Sequence, residues 1–363
     1  MATKDTDRMV KQFMEMVRID SESGNEARMM QYLLGELGGL GGEAALDDYG
    51  NLIAKFPGKG KGAGAEPVLL SCHADTVKPG VGIEPVLEDG VIRSAGDTIL
   101  GADDKAGIAE VLEALRVAEV HPPLEIAISR QEEVGLLGVK NLDFSRLTAK
   151  RGFLLDNDTL ETIVIGGPSY FAIDVKVTGR SAHAGMEPEK GINAIQAAAK
   201  AIAALKLGRL DEQTTANVGI IQGGIIRNGV PAQAFFAAEC RSADHARAEA
   251  LAADMERTIR QEVTGFGAKV EVTVDNLCQA VSIPADAATV KIAQQGLATV
   301  GIEAEPIFIT GFTDASIYNN RGIEMAVIGI GAQDEHSTEE HIAVADMEKA
   351  LTVLLDILRR CAG

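Results

Sequence analysis

In five places along this chain an acid or a histidine follows closely on a short apolar run, and that repetition constrains the fold more than any other feature. The runs at 52–56, 68–72, 124–129 and 153–155 are β-like, and helical spacing fills 105–120 between two of them. Strands alternating with helices specify an α/β unit with a mainly parallel sheet and helices on both faces. In such a sheet ligands collect at the carboxyl ends of the strands, where these polar residues fall.

The pattern changes after Gly166-Gly167-Pro168. Residues 171–178 alternate as a strand, 191–205 form an Ala-rich helix, and 218–222 and 234–240 read as further strands. A helix at 244–263 and a strand at 269–274 complete an inserted α+β sandwich. The α/β character then returns, with helices at 286–300 and 345–360 and a strand at 326–330. Residues 1–167 and 279–363 are therefore expected to form one discontinuous domain, closed around an insertion at 168–278. Two amphipathic helices, 4–17 and 26–37, open the chain, and Ser23 with Glu26 has the S-x-x-E form of a capping box for the second.

The charge balance narrows the function. Against 34 Lys and Arg stand 53 Asp and Glu, a formal charge of −19. That excess repels phosphate backbones and anionic lipid, so neither a nucleic-acid nor a membrane partner is expected. Carboxylates gathered in a cleft are also costly unless a cation neutralises them. The cysteines Cys72, Cys240, Cys278 and Cys361 form no C-x-x-C pair, and with no apolar leader or run of about 18 apolar residues they lead us to expect a reduced, cytoplasmic protein.

At the end of the run 68–72, His73 and Asp75 form an H-x-D triplet whose side chains point the same way, so that Asp75 orients the imidazole while its other nitrogen binds a metal. Asp103-Asp104 stands where a Gly-containing loop enters a helix. Glu132-Glu133 follows the run 124–129, Asp156 follows 153–155, and His336 follows 326–330. Any one of these also reads as a cap or a solvated turn, but five together do not. His73, Asp103, Glu133, Asp156 and His336 supply two imidazoles and three carboxylates, a set suited to zinc, manganese or cobalt. With one carboxylate bridging, they give each of two metals three protein ligands. Asp158 competes with Asp156, since it faces the same way if the strand continues; Asp156 is preferred because the apolar run stops at Leu155. His121, His245 and His341 are read as surface residues.

The ordered set His73-Ala74-Asp75, Ile99-Leu100-Gly101-Ala102-Asp103-Asp104-Lys105-Ala106-Gly107, Gln131-Glu132-Glu133-Val134-Gly135-Leu136, Ser181-Ala182-His183-Ala184-Gly185 and His336-Ser337-x-x-Glu340 spans nearly the whole chain. It resembles the co-catalytic zinc aminoacyl hydrolases, which include peptidase T, carboxypeptidase G and the aminoacylases. Residues 99–107 and Gly311-Phe312-Thr313-Asp314-Ala315 resemble the peptidase T branch. The resemblance implies a metal-dependent exopeptidase acting on short peptides, with two divalent ions per subunit. It makes Asp103 the bridge, His73 and Asp156 the other ligands of one zinc, and Glu133 and His336 those of the second. Glu132 becomes the general base, and His183, Asn228 and Arg241 of the insertion meet the substrate. It also implies a homodimer paired through the insertion, with His183 reaching the partner's active site. The alternatives on this fold are N-acyl or N-carbamoyl amino-acid hydrolysis and carboxypeptidase action. The non-enzymatic one is a metal-stabilised binding protein, against which the free base Glu132 argues.

Overall fold

The computed structural model describes residues 4–363, which divide into two compact units. The first runs to Gly166 and resumes over Ser282–Ile309 and Thr313–Gly363; the second comprises Gly167–Val281 and Thr310–Phe312.

Among the described residues, the first unit is built on a nine-stranded sheet. Its middle is parallel: Val68–His73 lies between Leu124–Ser129 and Arg151–Asn157, and Glu324–Gly329 continues beside the latter. Antiparallel strands Glu43–Leu46 and Leu52–Phe56 extend it beyond Leu124–Ser129. Every residue of Val68–His73 is buried, because both faces are covered. Val68, Leu70 and Cys72 join one large core with Phe13, Leu112 and Leu354 from the helices Lys4–Val17, Ala102–Val117 and Val344–Cys361. Ser71 faces the other way and meets the hydroxyl of Tyr318, on helix Asp314–Asn320, at 3.0 Å. The alternating strands and helices thus give the α/β class that the sequence implies. The pattern did not reveal a small four-stranded sheet made of Pro85–Glu88, Val91–Ser94, Ala332–Gln333 and His341–Ala343. Its strands are only two to four residues long.

Two local readings are corrected. Helix Ala27–Gly39 starts without a side-chain cap, so the capping box is not formed. Ser23 bonds at longer range instead, and Glu26 divides its carboxylate between the nearby Gly24 N–H and the distant Arg130. His121 is buried, 5% exposed, with Nδ1 2.8 Å from the carbonyl of Pro122.

The second unit is a five-stranded antiparallel sheet in the order Gly208–Asp211, Thr214–Gly223, Gln233–Ser242, Ser169–Thr178, Lys269–Cys278. Strict alternation buries Phe171, Ile173, Val175 and Val177 on one face, against Ala234, Phe236, Ala238 and Cys240 of the next strand. Helices Ala194–Ala204 and His245–Gly265 pack on this core, each capped at its start, by Asn193 and Asp244 respectively. The first helix buries only small residues, Ala194, Ala197, Ala198 and Ala201, which lets its backbone lie close to the sheet. Gly208–Asp211 pairs only with 214–216, so 217–223, paired on their inner side with Gln233–Ser242, have no strand on their outer side among the described residues. Thr310–Phe312, left with the other domain by the sequence pattern, clusters here: Arg241 Nη1 donates to the Thr310 carbonyl at 3.0 Å, and the Tyr170 and Phe312 rings lie 5.3 Å apart.

Close packing at Ala198 leaves no room for a longer side chain. Ala198→Leu is expected to destabilise this unit by about 1–3 kcal/mol, read as a lowered denaturation midpoint in calorimetry; an unchanged midpoint would contradict the packing described.

Candidate metal centre

The carboxyl ends of the parallel strands bring seven of the residues singled out above together in the first unit. His73 closes its strand, and its Nε2 lies 2.9 Å from Asp103 Oδ1 and 3.4 Å from Asp156 Oδ1. His336 Nε2 lies 3.2 Å from the other oxygen of the same carboxylate, Asp103 Oδ2, and 2.9 Å from Glu133 Oε1. Asp103 therefore presents one oxygen to each imidazole, and each imidazole has a further carboxylate of its own. Donors bound tetrahedrally at the usual 2.0–2.2 Å lie about 3.3 Å or slightly more from one another, so these separations fit a divalent ion to within a few tenths of an ångström. His73, Asp103 and Glu133 form one cluster of potential ligands, and His73, Asp104 and Asp156 another.

Local geometry places each donor. Gly101 adopts a left-handed conformation, φ 70°, at the entry to helix Ala102–Val117, where Asp103 and Asp104 depart from helical angles. A Cβ on Gly107 would come within 2.4 Å of Asp104 Oδ1 and 2.7 Å of the Leu155 carbonyl, so only glycine lets the helix settle onto the strand that carries Asp156. Strand Arg151–Asn157 continues past Leu155, yet only Asp156 meets His73; Asp158 is exposed and accepts a hydrogen bond from the Thr159 N–H. His336 and Gln131 both have positive φ, 60° and 54°, an uncommon conformation for such residues that surrounding bonds must hold.

Carboxylates tie down the segments beside these two residues. Asp75, fully buried, lies 3.6 Å from His73 Nδ1 and accepts the backbone N–H groups of Glu132 and Glu133 and the hydroxyl of Ser23. Glu340 accepts four consecutive backbone N–H groups, those of Leu100, Gly101, Ala102 and Asp103, at 2.7–3.1 Å, and so fastens Asp103 to the loop that carries His336. Glu26 pairs with Arg130, which also contacts the Tyr49 carbonyl and anchors the approach to Glu132. The long-range bonds of Ser23, Glu26 and Glu340 are not legible in the sequence, because these partners lie tens to hundreds of residues away. Asp314, also unassigned, is fully buried, held by the Ser129 hydroxyl through one oxygen and unpartnered at the other among the described residues.

The centre is overloaded with negative charge. Burial pushes the carboxyls of Glu132 and Asp104 well above the usual range, that of Asp156 to about 6, and that of Asp314 to about 7, with neighbouring carboxylates adding to the shift. Burial also raises Asp103, but His73 and His336 outweigh it and hold this carboxyl well below its ordinary value. Hydrogen bonds to Asp103 and Glu133 raise His336 to about 10. Such a site favours cations, and two imidazoles with several carboxylates are a donor set that divalent transition metals accept.

The remaining three residues lie in the second unit. His183 is exposed on a loop zipped to the segment around Asn228: Ala184 N–H donates to the Asn228 carbonyl and Val230 N–H to that of Ala182. The N–H groups of Gly185 and Met186 both donate to His183 Nδ1 at 3.2 Å, which leaves the ring hydrogen on Nε2, pointing away as a donor. Arg241 is more engaged. Its Nε contacts Glu239 at 2.6 Å, Nη1 the Thr310 carbonyl, and its guanidinium lies 4.5 Å from the Tyr170 ring centre.

Comparison with known proteins agrees with this geometry. Residues 168–265 match a peptidase dimerisation domain, and 51–204 match peptidase family M28. The chain is 34% identical to protein YqjE of Bacillus subtilis, over 98% of each chain. It shares 34% identity and a TM-score of 0.92 with the crystal structure of a tripeptidase from Staphylococcus aureus, over 98% of both chains. With the aminopeptidase PepT of Bacillus cereus it shares 36% identity and a TM-score of 0.87, over 99% of both. A metal-suited cluster on this fold, with relatives of that identity spanning its whole length, makes the chain a member of the peptidase T-like branch of the metallopeptidases, a hydrolase acting on peptide bonds.

Proposed function

We propose that this protein is a two-metal aminopeptidase that removes the N-terminal residue of tripeptides and works as a homodimer in the cytoplasm. The observation that carries the reading is the position of Asp103, with one carboxylate oxygen toward His73 and the other toward His336. His73 and Asp156 would hold one ion, His336 and Glu133 the other, with Asp103 between; zinc suits this set best, and manganese or cobalt also fit. Relatives named as a tripeptidase and as PepT support the substrate, and they favour it over acylated amino acids. Four buried free cysteines agree with a reducing compartment.

When bound, the two ions polarise the scissile carbonyl and make water acidic enough to lose a proton near neutral pH. The chain's own residues do the rest. Glu132 has no cationic partner among the described residues, and its backbone is fixed by Asp75, so its carboxylate is free to take the proton of the attacking water and return it to the leaving amine. The Nε2–H of His183 donates to the oxyanion. Asn228, on the loop zipped to His183, and the remaining fork of Arg241 would orient the peptide, the guanidinium on its terminal carboxylate.

Pairing of two copies is supported by the unpaired edge at 217–223, where Ile220 and Ile221 are about half exposed, and by the dimerisation-domain match.

Two outcomes are expected. Glu132→Gln should keep both metals by elemental analysis and lose about 10²–10⁴-fold in turnover, whereas Asp103→Ala should lose metal; retention of more than about a tenth of turnover by Glu132→Gln would remove it as the base. His183→Ala should also be nearly inactive with its metals in place, and subunit exchange with Glu132→Gln should restore activity, because each mixed dimer then holds one intact site. Verified exchange without recovery would refute the shared site.

A further inference from the structure

The loops that hold His183 and Asn228 also enclose a hollow of about 440 Å³ within the second unit. Its walls come from Ile225, Ile226, Val230, Pro231 and Ala182, and none of its lining residues is charged. Gly224 and Gly229 contribute no side chains to fill it. Ile225 is 97% exposed and Ile226 63%, so two large apolar side chains stand beside the hollow with their surface in water. A cost of that kind is usual only where something else covers the surface.

The position of the hollow limits what that is. Ser181 and Ala182 of its wall directly precede His183, and hydrogen bonds from Val230 to Ala182 and from Ala184 to Asn228 tie both loops into one piece. The hollow, the Nε2–H donor and the Asn228 amide therefore travel together to whichever active site His183 serves. A concave apolar surface with a few polar groups at its rim is the usual form of a small-ligand subsite. The exposed isoleucines of the sheet edge, Ile220 and Ile221, lie on the edge strand Thr214–Gly223 instead, a surface suited to a protein chain.

We propose that this hollow is a substrate subsite that receives an uncharged apolar side chain of the peptide, so that the enzyme selects aliphatic or aromatic residues at one position of its tripeptides. The proposal rests on the reading of His183 as part of the active site. It adds specificity to a centre whose metal ligands have no means of telling one side chain from another. A hydrophobic pocket discriminates by about 10–200-fold per methylene-sized difference at its best, so leucine and glycine should be well separated.

The test uses metal-loaded protein and three tripeptide series, with Gly, Ala, Leu, Phe, Lys and Asp placed in turn at each position against Gly elsewhere. The expected result is a preference for Leu or Phe over Gly of about 10-fold or more in kcat/KM at one position, with Lys and Asp rejected there. In the Ile225→Ser/Ile226→Ser variant that ratio should fall to within about threefold of unity, with metal content and dimer mass retained. Should the pair fail to fold, Ile225→Ala, at an almost fully exposed position, reads the same ratio. Equal turnover of all residues at every position, or an unchanged ratio in the variants, overturns the subsite. A variant that becomes monomeric also overturns it, because the isoleucines then belong to a subunit contact. His183→Ala separates the two ideas: if it turns over every peptide normally, the shared-site reading has failed, whereas its inactivity beside an unchanged ratio in the isoleucine variants rejects the subsite alone.

Discussion

A single carboxylate shared between two imidazoles organises this protein. Asp103 offers one oxygen to His73 and the other to His336, and Asp156 and Glu133 complete the two halves. Left alone, so many buried acids repel one another, which is why burial and mutual charge push Asp156, Glu132 and Asp314 toward their neutral forms. Bound divalent cations would turn the same crowding into an advantage, since carboxylates that destabilise one another would serve as ligands.

Much of the surrounding structure keeps that carboxylate in place. Glu340 gathers four successive N–H groups of the loop before it, and Asp75 joins the His73 strand to the backbone of Glu132 and Glu133. Each is a buried acid that accepts several backbone N–H groups, Asp75 also taking the Ser23 hydroxyl and facing His73, so each fixes the geometry around the centre. Gly107 removes the side chain that would hold the helix of Asp103 away from the strand of Asp156. The donors come from four strand ends and a helix entry, and these three devices convert separate segments into one rigid cluster.

The donors were legible in the sequence because each follows an apolar run that could only be a buried strand, and a parallel sheet places all such ends on one edge. Their supports were not legible. Ser23 and Glu26 spell a local capping box, yet Asp75 and Arg130 compete for them across the fold and win, because a buried carboxylate and a guanidinium bind more strongly than an exposed helix start. Glu340 appeared only as part of a motif, since nothing in its neighbourhood announces four N–H groups more than 230 residues away. The strands Pro85–Glu88, Val91–Ser94, Ala332–Gln333 and His341–Ala343 are too short to carry a periodic pattern; the first two pair locally across the Asp89-Gly90 turn, and only the folded chain brings His341–Ala343 to them. In the second unit the alternation of Phe171, Ile173, Val175 and Val177 announced its strand, whereas the tautomer of His183 depends on two backbone N–H groups that only the folded loop brings to Nδ1.

The central claim is that Asp103 bridges two ions, and anomalous diffraction from crystals grown with zinc tests it most directly. The account predicts two peaks per chain, about 3.5–4 Å apart, one beside His73 and Asp156, the other beside His336 and Glu133, with an oxygen of Asp103 on each. A single peak at zinc saturation, or two peaks that do not share Asp103, would contradict it.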